Sequence, residues 1–442
     1  MLLLWMLLAR RSWALVGLGV DLGTSGVRVC VVEKANGVRV VGEAKTAWSD
    51  DEGREPEVWL GALRECLGKC EGVGEATRIA VSGTSASLLA VEGGAVSRSP
   101  MMYCDSVDAA TIRPIEASAP AGHVTRSRTS ALGKLLAWNL RASEVPVHQA
   151  DYVAAALASY DGEVVSGPYR SDWHNALKLG FDVEELRWPE WVREVAPAVG
   201  SLGVVRPGEP TRTVSAAAAA WWGAREGARI VGGTTDSIAA YLACSATEAG
   251  DIDPRPGEAV TSLGSTTALK LVSETRVDDD ARGVYSHRLD DRWLVGGASN
   301  AGCRVLRAWM FDDEELADLA AKIEVDAHPV NSAGVYPLVS TGERFPVDDP
   351  DKEPRLPDFY QQKDRRRLLE MLLLGISDVE RLGYKALRDL GATDLVSVRT
   401  AGGGAKNKTW RLMRERMLGV PVYEAEHTEA SFGAALLALR HA

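Results

Sequence analysis

Three glycine-rich turns, each closing an apolar strand-forming segment, constrain this chain more than any other feature. The first is Asp21-Leu22-Gly23-Thr24-Ser25-Gly26, at the end of residues 14–22 (ALVGLGVDL). The second is Leu263-Gly264-Ser265-Thr266-Thr267, after 259–263, and the third is Gly402-Gly403-Gly404-Ala405-Lys406-Asn407, after 394–399. Glycine lets backbone come close to a ligand, and successive amide N–H groups in such turns bind oxyanions. Thr24 and Ser25 add hydroxyl donors, and Asp21 offers a carboxylate to a metal's water shell. The third turn opens a helix, whose N-terminal amides favour anions. One such turn is an ordinary strand connection. Three in one chain, two of them alike, point to phosphate.

The segments around these turns repeat. Residues 14–22, 27–33 and 38–44 read as three strands, with the hairpin signal Asn36-Gly37 between the last two. A helix follows at about 57–71 on the spacing of Trp59, Leu60, Leu63 and Leu67, and then a strand at 77–82. The second half repeats that order. Strands at 259–263, 264–272 and 292–296 precede helices near 301–324 and 364–390, and a strand at 394–399. Residues 205–213 and 340–358 read as surface loops, and the alanine run 216–220 as helix packing. With 442 residues, two domains of roughly 200 residues each are expected. Their boundaries are placed at 14–245 and 246–442.

A fourth feature follows the buried segment Ile230-Val231: Gly232-Gly233-Thr234-Thr235-Asp236-Ser237, then a helix-forming run. Asp236 is either part of a helix cap or a carboxylate aimed at a substrate as general base. Other phosphate and hydrolase signatures fail. Gly68-Lys69 is followed by Cys70, so there is no P-loop. Leu22 stands where the dinucleotide fingerprint after Gly17-Leu18-Gly19 needs glycine, and neither G-x-S-x-G nor H-E-x-x-H occurs.

Composition narrows the partners. There are 50 basic and 61 acidic side chains, a net charge of −11, which argues against a nucleic-acid partner, since phosphate-backbone binding needs a basic footprint. Six cysteines are scattered, and Cys66 and Cys70, one helical turn apart, have no second pair to make a zinc site. Reduced thiols of a cytoplasmic type are expected. The apolar run at 1–8 precedes Arg10-Arg11 and is too short to span a bilayer. Its basic residues follow it, the reverse of a secretory signal. A plastid location is the alternative, if residues 1–13 are a transit remnant. No other stretch is a membrane candidate. The seven histidines have no ligand spacing, and Lys406 reads as a solvated charge. His174, Trp48 and Trp173 are the side chains to watch on the substrate side.

Together, DLGTSG at 21–26, VSGTSAS at 81–87, GGTTDS at 232–237, SLGSTT at 262–267 and AGGGAKN at 401–407 resemble the FGGY carbohydrate kinases, in order and approximate spacing, over residues 15–440. The resemblance implies an α/β fold of two ribonuclease-H-like domains, as in actin, Hsp70 and hexokinase, flanking a catalytic cleft. It implies ATP and Mg2+ as cofactors and a small ketose as acceptor, in a monomer or homodimer. Asp21 resembles the metal-orienting acid, and Gly23, Thr24 and Ser25 the first phosphate loop. Gly264, Ser265 and Thr266 resemble the second phosphate loop, and Gly402, Gly403, Gly404 and Asn407 the adenosine loop. Asp236 resembles the catalytic base and a substrate contact, and Ser85 and Asp105 fall at substrate positions. EASFGAALLAL is similar to the family's final helix.

The segments 148–157 and 171–182 look most like the plant and cyanobacterial xylulose-kinase-like subgroup, which is similar to D-ribulose kinases. The expected reaction is therefore D-ribulose to D-ribulose 5-phosphate. D-xylulose or another ketose or polyol is the alternative acceptor, and a non-catalytic actin-like ATP switch the rival of a different class. One departure concerns the sugar's far end: Val107 stands where many members carry arginine.

Overall fold

The computed structural model describes residues 15–327, 334–356 and 364–442. The N-terminal apolar run lies outside them, as do His328 and the last residues of the expected 340–358 loop. The chain forms two compact units. One runs to Asp253 and takes back Glu429–Ala442; the other is Pro254–Thr428.

In the first unit, β1 (Leu15–Gly23), β2 (Gly26–Lys34) and β3 (Val38–Ala47) form an antiparallel meander. β4 (Arg78–Gly83) returns parallel to β1 after the helix Pro56–Lys69. This crossover is what the 3.6-residue apolar spacing after three strands calls for. Trp59, Leu63 and Leu67 of that helix pack with Leu18, Val20 and Ile79 in the core. β5 (Leu88–Glu92) and β6 (Ala95–Met101) form a small sheet with β7 (Val145–His148), and β8 (Arg170–Asp172) pairs with β9 (Gly203–Val205). β10 (Pro210–Thr213), β11 (Arg229–Val231) and the short β12 (Thr234–Thr235) complete the main sheet, whose order is β10-β11-β4-β1-β2-β3 with β12 also on β4.

The second unit repeats the plan. β13 (Glu258–Leu263), β14 (Thr267–Ser273), β15 (Tyr285–Leu289) and β16 (Arg292–Ser299) are antiparallel. β17 (Ser397–Ala401) lies parallel to β13, and β18 (Val422–Glu424) parallel to β17. The helix Arg365–Asp389 packs Leu368, Leu369, Leu372 and Ile376 with Leu263, Trp410 and Met413. The molecule is thus α/β with two sheet-containing domains.

Three expectations differ from what is observed. The 205–213 loop contains β10. The helix expected near 301–324 is two helices, Arg304–Ala308 and Asp313–Ala321. Met310 at φ +60 breaks the first, and Asp312 caps the second by accepting the Glu315 N–H at 2.8 Å. Finally, the helix Ala430–Leu439 packs in the first unit, not in the 246–442 half to which it was given. Close approach explains this: a Cβ on Gly433 would lie 1.9 Å from the Ala239 carbonyl oxygen, and one on Gly19 2.0 Å from that of Ser431. No helix among the described residues is long and apolar enough to cross a membrane.

Candidate functional site

In the first unit, β1, β4 and β12 run parallel, with Asp21 opposite Ser82 and Ser82 opposite Thr234. Beyond their carboxyl ends come the Thr24-Ser25 turn, the 84–87 turn and Asp236. In parallel sheets this is where ligands bind.

Asp21 is 4% exposed. Its Oδ1 accepts from the Ser82 hydroxyl at 2.8 Å, and its Oδ2 lies 3.8 Å from Arg28, which also faces Glu429 at 3.3 Å. Burial pushes the Asp21 carboxyl up to about 6. The Ser82 hydrogen bond and Arg28 oppose the rise, and the charges of Asp236 and Glu429 add to it. The two expected acids are therefore electrostatic neighbours. Neither Arg28 nor Glu429 was singled out in the sequence, and Glu429 lies some 400 residues from Asp21.

Asp236 is half-buried and is the first residue of the helix Asp236–Ser245, with Thr235 at the cap position making no side-chain cap bond. Asp236 Oδ1 accepts from the Ser237 N–H at 2.6 Å. Beneath, the hydroxyl of Thr234 and Nδ1 of His174 share a 2.8 Å hydrogen bond, and Asp172 accepts from the N–H groups of His174 and Asn175. The segment 171–182 thus underpins the start of the Asp236 helix.

Thr24 and Ser25 are exposed. The Trp48 indole N–H donates to the Thr24 carbonyl at 2.9 Å, and its backbone N–H to that of Ser25 at 3.2 Å. Trp48, 8% exposed, pins the 24–25 turn instead of presenting a face to solvent. Trp173 is likewise buried.

The Ser85 hydroxyl is buried without a hydrogen-bond partner. Its neighbour Thr84 donates to Gln149 Oε1 at 2.9 Å. Asp105 pairs with Arg54 through two bonds of 2.8 and 2.9 Å, which hold its carboxyl below the usual range. Val107, at the position where the resemblance expects arginine, is 5% exposed and lies beside Gly133. A guanidinium from a distant segment, Arg54, thus stands at the acid. Single-sequence reasoning had no signal for it.

In the second unit, the 264–266 turn joins β13 to β14, with the Gly264 N–H bonded to the Thr266 carbonyl at 3.1 Å. The parallel pairing of Ser262 with Ala401 brings the 402–404 loop beside it. Gly402 has φ +84, and a Cβ there would lie 2.6 Å from the Leu263 carbonyl oxygen, so both conformation and space demand glycine. Gly302, which the sequence reading passed over, backs the same turn, 2.6 Å from Thr266 Cα by the same measure. Gly403 has open space around it. Asn407 Oδ1 caps the helix Lys408–Leu418 by accepting the Trp410 N–H at 3.0 Å. Its carbonyl is thereby committed to the loop's own geometry.

Under the strands, Arg414 and Glu380 form a buried pair with bonds of 2.6 Å, tied to β17 through Thr400 and to β13 through Thr261. The two loops therefore rise from strands fixed to one buried network. Among the described residues no group of three or more His, Cys, Asp or Glu could hold a metal ion.

Residues 259–442 match the C-terminal domain of the FGGY family of carbohydrate kinases. That stretch of the chain is similar to an FGGY kinase domain. The whole chain is 23% identical over 449 aligned residues to a xylulose kinase of Staphylococcus epidermidis, covering 96% of this chain and 87% of that protein. A gluconokinase of Bacillus subtilis is 24% identical over 223 residues, a match spanning 47% of this chain and 42% of that protein. The solved xylulose kinase of Rhodospirillum rubrum has the same fold, with a TM-score of 0.77 at 20% identity over 96% of this chain and 89% of that one. These likenesses support a carbohydrate kinase as the enzyme class.

Proposed function

We propose that the chain is an ATP-dependent kinase that phosphorylates the primary hydroxyl of a ketopentose, with Asp236 as general base. The observation that carries this reading is the pair Asp21 and Asp236 at the carboxyl ends of β1 and β12, the two strands that flank β4, with the Asp236 charge acting on Asp21. An alkyl hydroxyl is a poor nucleophile at neutral pH, so a positioned carboxylate taking its proton contributes roughly 10²–10⁴-fold. The sugar oxygen bonds to the γ-phosphorus, the bond to the β-γ bridging oxygen breaks, ADP leaves, and the proton passes to Asp236. Phosphoryl transfer otherwise needs alignment and charge neutralisation. The 23–25 and 264–266 turns would supply amide and hydroxyl donors to phosphate, and 402–404 with Asn407 would hold the adenosine.

The donor set fits magnesium. Asp21 is a hard oxygen ligand, and magnesium keeps most of its waters and takes one or two carboxylates. Asp21 would hold its water shell. When bound, the ion neutralises phosphate charge.

D-ribulose is the acceptor favoured by the likeness of residues 148–157 and 171–182 to the ribulose-kinase-like subgroup. D-xylulose is supported equally by the names of the relatives. ADP release measured across ketoses, polyols and gluconate decides between them. Turnover with one ketopentose above the rest is expected, and Asp236→Asn should lower it at least 10²-fold while ATP still binds. Near-normal turnover of D236N would overturn the base assignment. Sugar-independent ATPase would favour an actin-like switch.

A further inference from the structure

Lys134, in the helix Ala131–Trp138, is wholly buried, and its ammonium donates to two backbone carbonyls, Ala86 at 2.9 Å and Met102 at 2.6 Å. A buried charge without a bonded carboxylate is costly. Packing alone would be served as well by methionine. The two carbonyls explain what the charge does. Ala86 sits in the 84–87 turn at φ +70, a left-handed conformation that costs a non-glycine residue about 1 kcal/mol. That turn, closed by the Ser87 N–H on the Thr84 carbonyl at 3.1 Å, carries Ser85. The Met102 carbonyl also accepts the Asp105 N–H at 2.9 Å, while Asp105 Oδ2 accepts the Met102 N–H at 2.7 Å. So the second carbonyl belongs to the turn that carries Asp105. The Tyr103 N–H bonds to the Ser87 hydroxyl at 3.0 Å and joins the two turns directly.

We propose that Lys134 is a positioning residue for the acceptor sugar: its ammonium clamps the Ala86 and Met102 carbonyls and so fixes the two turns that present Ser85 and Asp105. The inference rests on the acceptor role proposed above for those residues. The ammonium donates to both carbonyls and keeps a charge there, as a neutral methionine could not, and the groups that face it set when it does so. Burial lowers its pKa to about 8; Asp105 and Cys104 oppose that fall, and Lys178 adds to it. The clamp therefore loosens as pH rises through about 8.

Three measurements test this. Lys134→Met should raise the KM for the ketose at least tenfold while the KM for ATP stays within twofold, and Lys134→Arg should recover most of the loss. In the wild type, the ketose KM should climb between pH 7 and 9 while the ATP KM does not; K134R should flatten that climb, since arginine stays charged. Hydrogen exchange of the Ser87 and Asp105 amides should quicken in K134M, with residues 254–428 unchanged. A K134M enzyme with unaltered ketose KM and unaltered exchange at both amides overturns the proposal. If K134M does not fold, the wild-type pH profile and K134R decide it, and a ketose KM flat from pH 7 to 9 overturns it. If the wild type phosphorylates no ketose, the functional reading fails, and the exchange measurement alone decides the clamp.

Discussion

At the residue scale, the site stores unfavourable free energy in a carboxylate. Asp21 is buried beside a second acid, and its folded pKa stands near 6 against an ordinary 3.8. The sign follows from linkage. A raised carboxyl binds more protons when folded, so its penalty is absent below about pH 3.8 and grows as pH rises through 6. At pH 7 it amounts to up to about 3 kcal/mol. Asp21→Asn, which still accepts from Ser82, should therefore raise stability to urea at pH 7 in the absence of nucleotide and metal. The gain should shrink steadily toward pH 4, and kinase turnover should be lost. Equal stability of mutant and wild type at all pH values would show that the burial carries no such cost. Asp21 and Asp236 were both legible as candidates because each lies near a strand's end beside a glycine pattern. Arg28, Arg54, Lys134 and Glu429 were not, since pairing across tens to hundreds of residues leaves no local mark.

At the element scale, legibility followed periodicity. Alternating or continuous apolar runs bounded by glycine turns gave β1, β2, β4, β13 and β17, and the spacing of Trp59, Leu60, Leu63 and Leu67 gave the helix Pro56–Lys69. β10, at a polar edge, has no such pattern, and the break at Met310 depends on one backbone conformation. The glycine loops were legible as motifs, but not the reason for each glycine. Gly402 is the position where a methyl group should matter most. Gly402→Ala forces alanine into an extended, positive-φ conformation that glycine alone adopts readily, and against the Leu263 carbonyl. It should cost about 1–3 kcal/mol in thermal unfolding and raise the KM for ATP more than that for the sugar. Gly403→Ala, with open space around it, should leave stability within about 0.5 kcal/mol. If both variants behave alike, loop geometry does not depend on Gly402.

At the scale of the whole molecule, the net charge of −11 and an anionic nucleotide are compatible, because charges beyond about 8 Å are largely screened at physiological salt. In the proposed function, neutral amides and a bound cation would decide binding locally. The same scale holds the feature least legible in sequence, the return of residues 429–442 to the first unit. A helix apolar on every side must be buried, but its pattern does not say in which core. Residues 431–439 are all buried. Arg78 donates to the Ala438 carbonyl at 3.3 Å and to the His441 carbonyl at 3.0 Å, and Glu429 brings its charge to Arg28 beside Asp21. The first unit is thus completed only when residues 429–442 have been made. Ending the chain at Thr428 should leave β1 and β4 without their cover and the first unit open to protease, while Pro254–Thr428 stays protected. Limited proteolysis with mass spectrometry of the fragments checks this, and a truncated chain with residues 15–253 as resistant as in the full protein would show that the helix is dispensable. The same truncation removes Glu429, so Glu429→Gln in the full chain separates the two roles: it should leave protection intact and alter only the charge around Asp21.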